Sequence, residues 1–140
     1  MSNATAIKPG TELPEMRRRP QELDLFLFCA AMWVPHRIHY DRDYSRTEGH
    51  ADLVVNGPLQ GGYLVQVVSN WAATVGGRIA ALRYRNRRAV FVGEPLVCRG
   101  RVSEVRDDAA GGWRALCEVW VERESDGERT TVGSAEVIPR

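Results

Sequence analysis

His36 and His39 lie three residues apart, and Asp41 and Asp43 follow directly. Further along, Asn56-Gly57-Pro58 opens a long apolar stretch with the marks of a helix start. An imidazole titrates near neutrality, so it can take a proton from water and help return one to carbon. A helix N-terminus offers oriented backbone N–H groups and a partial positive charge, which suit an oxygen gaining negative charge in a reaction. The stretch from Pro35 to Tyr63 therefore reads as a catalytic segment facing an oxyanion or thioester-carbonyl site.

Within it, His39 is the first candidate for proton transfer. His36 is the second, with helix capping or ring stacking as its alternative. Asp41, like Asp43, suits the holding of a histidine tautomer, and Asp41 reads otherwise as a structural partner of the short helix that carries the histidines rather than as a general acid. The Gly57 N–H is the candidate oxyanion donor, a role compatible with plain helix capping. Asn56, Pro58 and Leu59 flank that donor as substrate-binding candidates. Gln60 and Tyr63, on the first turns of the helix, are candidates to line a substrate tunnel or an interface. Gly61-Gly62 allows close approach by another helix or by substrate. Arg83, Arg85, Arg87 and Arg88 either meet the anionic groups of a ligand or line an exposed strand.

These residues need elements to hold them. Pro20 begins a helix running to about Met32, with Leu23, Phe26, Leu27, Ala30 and Ala31 repeating at helical spacing. Pro35 ends that segment and starts a short helix carrying both histidines on one side. Asp43–Gly49 reads as a polar connection and Asp52–Asn56 as an apolar approach. Leu64, Val67, Val68, Trp71, Ala72 and Val75 keep the 3.6-residue period, and Gly76-Gly77 stops the helix. The period then becomes two. Arg78–Phe91, Leu96–Val105, Trp113–Arg123 and Glu128–Ile138 read as strands, separated by turns at Gly93-Glu94-Pro95, Asp107–Gly112 and Ser125-Asp126-Gly127. Thr11–Arg19 suggests a further strand interrupted by Pro14. The plan is α+β: one domain over 11–140 behind a loosely extended 1–10, with a twisted antiparallel sheet wrapped round the long helix.

The 140 residues are enough for one proper core, and a net charge of +1 argues against nucleic-acid binding driven by bulk charge. Cys29, Cys98 and Cys117 form no CxxC pair and sit in apolar runs, which points to buried free thiols rather than a zinc site or disulfides. No signal sequence or bilayer-length apolar run is visible, so no membrane partner is expected and the cytoplasm is the expected compartment.

The order of elements, together with HRIHYDRDY, DLVVNGPLQ and RAVFVGEPLVCRGRV, resembles the hotdog-fold MaoC-like acyl thioester hydratases and dehydratases. The likeness is to the branch related to mesaconyl-CoA-type hydratases and spans about Gly10 to Val137. It implies addition of water to, or removal from, a trans-2-enoyl thioester on coenzyme A or an acyl carrier protein. It also implies no metal or other cofactor, and a homodimer or a hetero-oligomer with another hotdog chain. By the same resemblance the residue matching His39 acts with a second polar residue to hold and activate water, and the N–H matching Gly57 polarises the thioester carbonyl. The chain departs from the pattern at Val34, where the family carries an aspartate or asparagine, at His36, where it carries asparagine, and at Asn56, where the mesaconyl-type relatives often carry histidine. Two other readings stay open: a hotdog subunit of low activity that completes a heteromer, and a thioesterase. The latter lacks a carboxylate between Pro58 and Gly77.

Overall fold

The computed structural model describes residues 7–107 and 112–140. Strands β1 (Glu12–Arg18), β2 (Gly77–Asn86), β3 (Leu96–Asp107), β4 (Trp113–Arg123) and β5 (Arg129–Pro139) form one antiparallel sheet in the order β1-β3-β4-β5-β2. Helices α1 (Glu22–Met32), α2 (Arg42–Thr47) and α3 (Gly57–Thr74) precede β2. The sheet curls around α3, the hotdog arrangement expected from the sequence.

The alternation of β3 and β4 dictates that arrangement. Leu96, Cys98 and Val102 from β3 and Ala115, Cys117, Val119 and Val121 from β4 all point to one face and are buried. Leu64, Val67, Val68, Trp71 and Ala72 of α3 fill the concavity they form. Each large side chain so buried contributes about 1.5–3 kcal/mol. After α3 the chain reverses at Gly76, whose φ of +67° is the left-handed conformation that glycine adopts without strain.

Several local expectations need correction. α1 buries Leu25 and Cys29, while Leu23, Phe26 and Leu27 are 65%, 56% and 55% exposed. ELDLFLFCAAM is apolar on nearly every side, so periodicity alone cannot select its inner face. The connection Asp43–Gly49 contains α2, capped by the Asp41 carboxylate, which accepts from the Tyr44 N–H at 3.0 Å. Asn56, not Gly57, is the cap residue of α3. β2 stops at Asn86, and of the stretch up to Phe91 only Phe91 itself pairs, in an isolated bridge to Val54. β1 does carry an irregularity between Leu13 and Met16, where Pro14 sits. In the expected loose N-terminus, residues 1–6 lie outside the described residues, and Gly10 donates its N–H to Val102 O at 2.8 Å. Most of the expected Asp107–Gly112 turn also lies outside them. The three cysteines are buried and unpaired, and no described helix is long and apolar enough to cross a membrane.

One departure from regular pairing bears on the polar side chains near the start of α3. Between β4 and β5 the register shifts, so that Thr131 faces Val121 and Arg129 faces Glu122. Thr130 is the extra residue of this bulge. Neighbours in a regular strand point to opposite faces, but here Thr130 and Thr131 both turn inward and are fully buried.

Candidate active site

The segment before α3 is stitched between two neighbours. Val54 donates to Ile38 O at 3.0 Å, Val55 donates to Val90 O at 2.8 Å, and Val92 donates to Leu53 O at 2.9 Å. The bulge residue fixes the loop after β2, because Thr130 O accepts from both the Arg87 and the Arg88 N–H, at 2.7 and 3.2 Å. These ties enclose a cleft of about 360 Å³ lined by His39, Val54, Val55, Gly57, Gln60, Asn86, Arg87, Arg88 and Ala89.

His39 closes a single 3₁₀ turn, Arg37–His39, and is 9% exposed. Its Nδ1 lies 2.7 Å from Val54 O, an acceptor only, so Nδ1 carries the proton and Nε2 keeps its lone pair. Burial depresses the imidazole below its ordinary value of 6.5; the Val54 bond opposes this to a smaller degree, and the neighbouring His36 and His50 add to the depression. The ring is therefore neutral at physiological pH and can accept a proton.

Gly57 is the first residue of α3, and its N–H has no acceptor among the described residues. A side chain there would run into the Asn86 amide, whose Nδ2 lies over the glycine and whose Cγ would stand 3.1 Å from the added methyl. Glycine thus lets a second donor lie beside the helix start. Gln60, one turn on and 1% exposed, has one terminal amide atom 3.0 Å from Thr130 Oγ1 and 2.9 Å from Thr131 Oγ1. Thr131 Oγ1 is also 2.8 Å from Asn86 Oδ1.

Of the sequence-predicted site residues, the cleft brings together His39, Gly57, Gln60, Arg87 and Arg88. His36 does not reach it: exposed, it caps the 3₁₀ turn, its Nδ1 accepting from Ile38 N at 3.3 Å and its ring 6.0 Å from that of His39. Asp41 caps α2 and binds Arg37 at 2.6 Å; the Tyr44 N–H and then Arg37 hold its carboxyl below the usual range. Asn56 is fully buried beneath the cleft, donating to Cys29 Sγ at 3.3 Å, while its Oδ1 lacks a partner among the described residues. Pro58 sits in the first turn of α3. Leu59 and Tyr63 line a different depression with Arg18, Arg19 and α1, and burial pushes the Tyr63 hydroxyl up to about 12. Arg83 and Arg85 border a third, with Glu118 and Ser134. Tyr84 of the same chain covers Gly61, and Gly62 is open. Val34 is outside the cleft lining; its N–H donates to Cys29 O.

Sequence reasoning did not find Asn86, Thr130 or Thr131. Asn86 marks the end of β2 among arginines, and Thr130-Thr131 reads as ordinary strand. Only the bulge brings them to the helix start.

A neutral histidine and a helix N-terminus share one cleft, inside a sheet wrapped round that helix in the hotdog arrangement. The model of the hydroxyacyl-thioester dehydratase type 2 family matches residues 2–92, and the chain belongs to that family. It is 30% identical over 80 residues to the mitochondrial hydroxyacyl-thioester dehydratase type 2 of Saccharomyces cerevisiae, across 56% of this chain and 28% of that protein. It is 35% identical over 68 residues to the mesaconyl-C(4)-CoA hydratase of Chloroflexus aurantiacus, across 48% of this chain and 23% of that one. The matched stretch is thus about a quarter of the length of these relatives. Among solved structures, the (R)-hydratase of A. caviae superimposes with a TM-score of 0.86 at 17% identity, covering 96% of this chain and 98% of that one. The ChsH1-ChsH2 complex and the HadBC 3R-hydroxyacyl-ACP dehydratase complex, both of Mycobacterium tuberculosis, also occur among the structural neighbours.

Proposed function

We propose that this protein adds water to a trans-2-enoyl thioester and removes it from the 3-hydroxyacyl thioester, the carrier being coenzyme A or a phosphopantetheine-bearing protein. The observation that carries this reading is the shared cleft: His39 Nε2 as a free base and the Gly57 N–H as a free donor. Attack of water on C3 moves the C2=C3 π electrons toward C1 and places negative charge on the thioester oxygen. The Gly57 N–H, at the positive end of α3, stabilises that charge. His39 accepts the proton released by water and delivers it to C2, so H and OH are added across the double bond and the thioester stays intact. Neither a metal nor a further cofactor enters the scheme.

Arg87 and Arg88 on the rim offer positive charge to the carrier's phosphates; Arg83 and Arg85 face elsewhere. β2 ends the sheet with one edge unpaired, which supports assembly with a second hotdog chain, of the same or another kind. The cytoplasm is the proposed compartment, and three buried, unpaired thiols suit its reducing conditions. The reading of a weakly active subunit draws on Val34, which brings no polar group to the cleft.

The test is a hydration assay on the purified chain, following loss of enoyl-thioester absorbance with short and medium trans-2-enoyl-CoA substrates. His39→Gln keeps a donor for Val54 O but removes the base, and kcat should fall by about 10²–10⁴-fold. A folded wild-type chain that turns over no enoyl thioester overturns the proposal in favour of the subunit reading.

A further inference from the structure

The inner wall of the cleft has more short contacts than protons to fill them if Gln60 presents its oxygen to the threonines. Thr130 Oγ1 lies 3.0 Å from the Gln60 terminal atom and 3.3 Å from Val121 O. Thr131 Oγ1 lies 2.9 Å from the same Gln60 atom and 2.8 Å from Asn86 Oδ1. With the oxygen at that position, and with Asn86 turning Oδ1 to Thr131 and Nδ2 to Gly57, all four contacts end on acceptors, and two hydroxyls supply only two protons. With the nitrogen there, its two N–H groups donate to the two threonines. Thr130 then donates to Val121 O and Thr131 to Asn86 Oδ1, and every contact carries one proton. The orientation of a side-chain amide is assigned from just such a network.

The other terminal atom of Gln60 has no hydrogen-bond partner among the described residues, and Gln60 lines the cleft. We infer that this atom is the carbonyl oxygen, and that Gln60 is the second acceptor for the reacting water, opposite His39 Nε2. This rests on the hydratase reading above. A water positioned for attack needs an acceptor for each O–H, leaving a lone pair for C3. His39 takes one of these hydrogens as a proton and returns it to C2; Gln60 holds the other, which stays on the new hydroxyl. Gln60 therefore gains and loses no proton. Among the side chains lining the cleft no carboxylate is present, the arginines are donors, and the Asn86 oxygen is occupied by Thr131. Gln60 is the side-chain acceptor that remains.

Gln60→Met keeps length and removes the acceptor. With trans-2-enoyl-CoA it should lower kcat by about 100-fold or more while KM changes by less than about threefold. Gln60→Glu keeps an acceptor, since both threonine hydroxyls can turn to donate to a carboxylate. It should retain kcat within about tenfold of wild type and add an ionisation to the acid side of the pH–rate profile. A crystal structure of the wild type should show a water bridging His39 Nε2 and the Gln60 amide, lost in Gln60→Met. Wild-type activity abolished by His39→Gln but untouched by Gln60→Met overturns this assignment and leaves the hydratase reading standing. Equal losses in the Met and Glu variants, with a lowered melting temperature in each, would make Gln60 structural and also overturn it. An inactive wild type defeats the hydratase reading itself, and absence of the bridging water then overturns the Gln60 assignment separately.

Discussion

Gly57→Ala separates chemistry from stability at the helix start. The added methyl would overlap Asn86 Nδ2 and stand 3.1 Å from Asn86 Cγ, inside the ~3.5–4.0 Å at which carbon atoms rest. Asn86 is an exposed side chain and can swing away, but a retreat of about 1 Å gives up the 2.8 Å bond from Thr131 Oγ1 to Asn86 Oδ1. Loss of one such bond costs about 1 kcal/mol. Alanine in place of a helical glycine returns about 0.4–1 kcal/mol by restricting the unfolded chain. The two nearly cancel, so the melting temperature should move by no more than about 3 °C. Activity should respond quite differently. The methyl stands beside the N–H that faces the cleft, and the neighbouring Asn86 donor leaves, so kcat should drop by about 10²–10³-fold, the usual consequence of losing one oxyanion donor. Circular-dichroism melting and the enoyl-thioester absorbance assay on one preparation measure both. A variant that keeps kcat within about threefold of wild type would refute the donor role of Gly57. A melting temperature lowered by more than about 10 °C would show that the glycine serves packing rather than chemistry.

The depressed ionisation of His39 predicts an activity that is flat through neutrality and falls only below pH 6.5, with the slope of one proton; a limb above that value would refute a buried neutral base. The folded chain binds fewer protons at His39 than the unfolded chain does, so this contribution to stability is complete above pH 6.5 and is lost as pH falls through the lower folded value. Urea denaturation on either side of pH 6.5, in wild type and His39→Gln, checks the sign. Leu64 is fully buried between α3 and the sheet, and Leu64→Ala should cost about 3–5 kcal/mol in urea denaturation with KM little changed, because Leu64 does not line the cleft.

How far the sequence discloses this molecule depends on which physical signal each part uses. β3 and β4 alternate because one face is core and the other solvent, so Cys98, Val102, Cys117 and Val119 announce their burial. α3 keeps its period because only one face meets solvent freely. α1 has no such contrast: Leu23 and Leu25 look alike in sequence, and only packing against the segment of Asn56, through Cys29, decides which is inside. α2 is illegible for the opposite reason, since RDYSRT carries almost no apolar content and is held by the Asp41 cap and by Ser45 Oγ, which donates to Asp52 O at 2.9 Å. The arginines divide at Asn86, where β2 ends, a boundary that the run from Arg83 to Arg88 does not reveal.

The cleft divides in the same way. His39 and Gly57 are legible because each owes its chemistry to its own identity and local backbone, an imidazole on a turn and a glycine at a helix start. The polar group beside the helix start is not local. It exists because one extra residue in β5 turns Thr130 inward beside Thr131, and because those two hydroxyls orient the amides of Gln60 and Asn86. A register shift between two strands is a property of the pair, set by strand twist and by what each face buries, and neither strand's sequence states it. The loop carrying Arg87 and Arg88 hangs from the same Thr130 carbonyl. Moving that single bulge by one residue would therefore disturb the wall and the rim of the cleft together, while leaving His39 and the start of α3 in place.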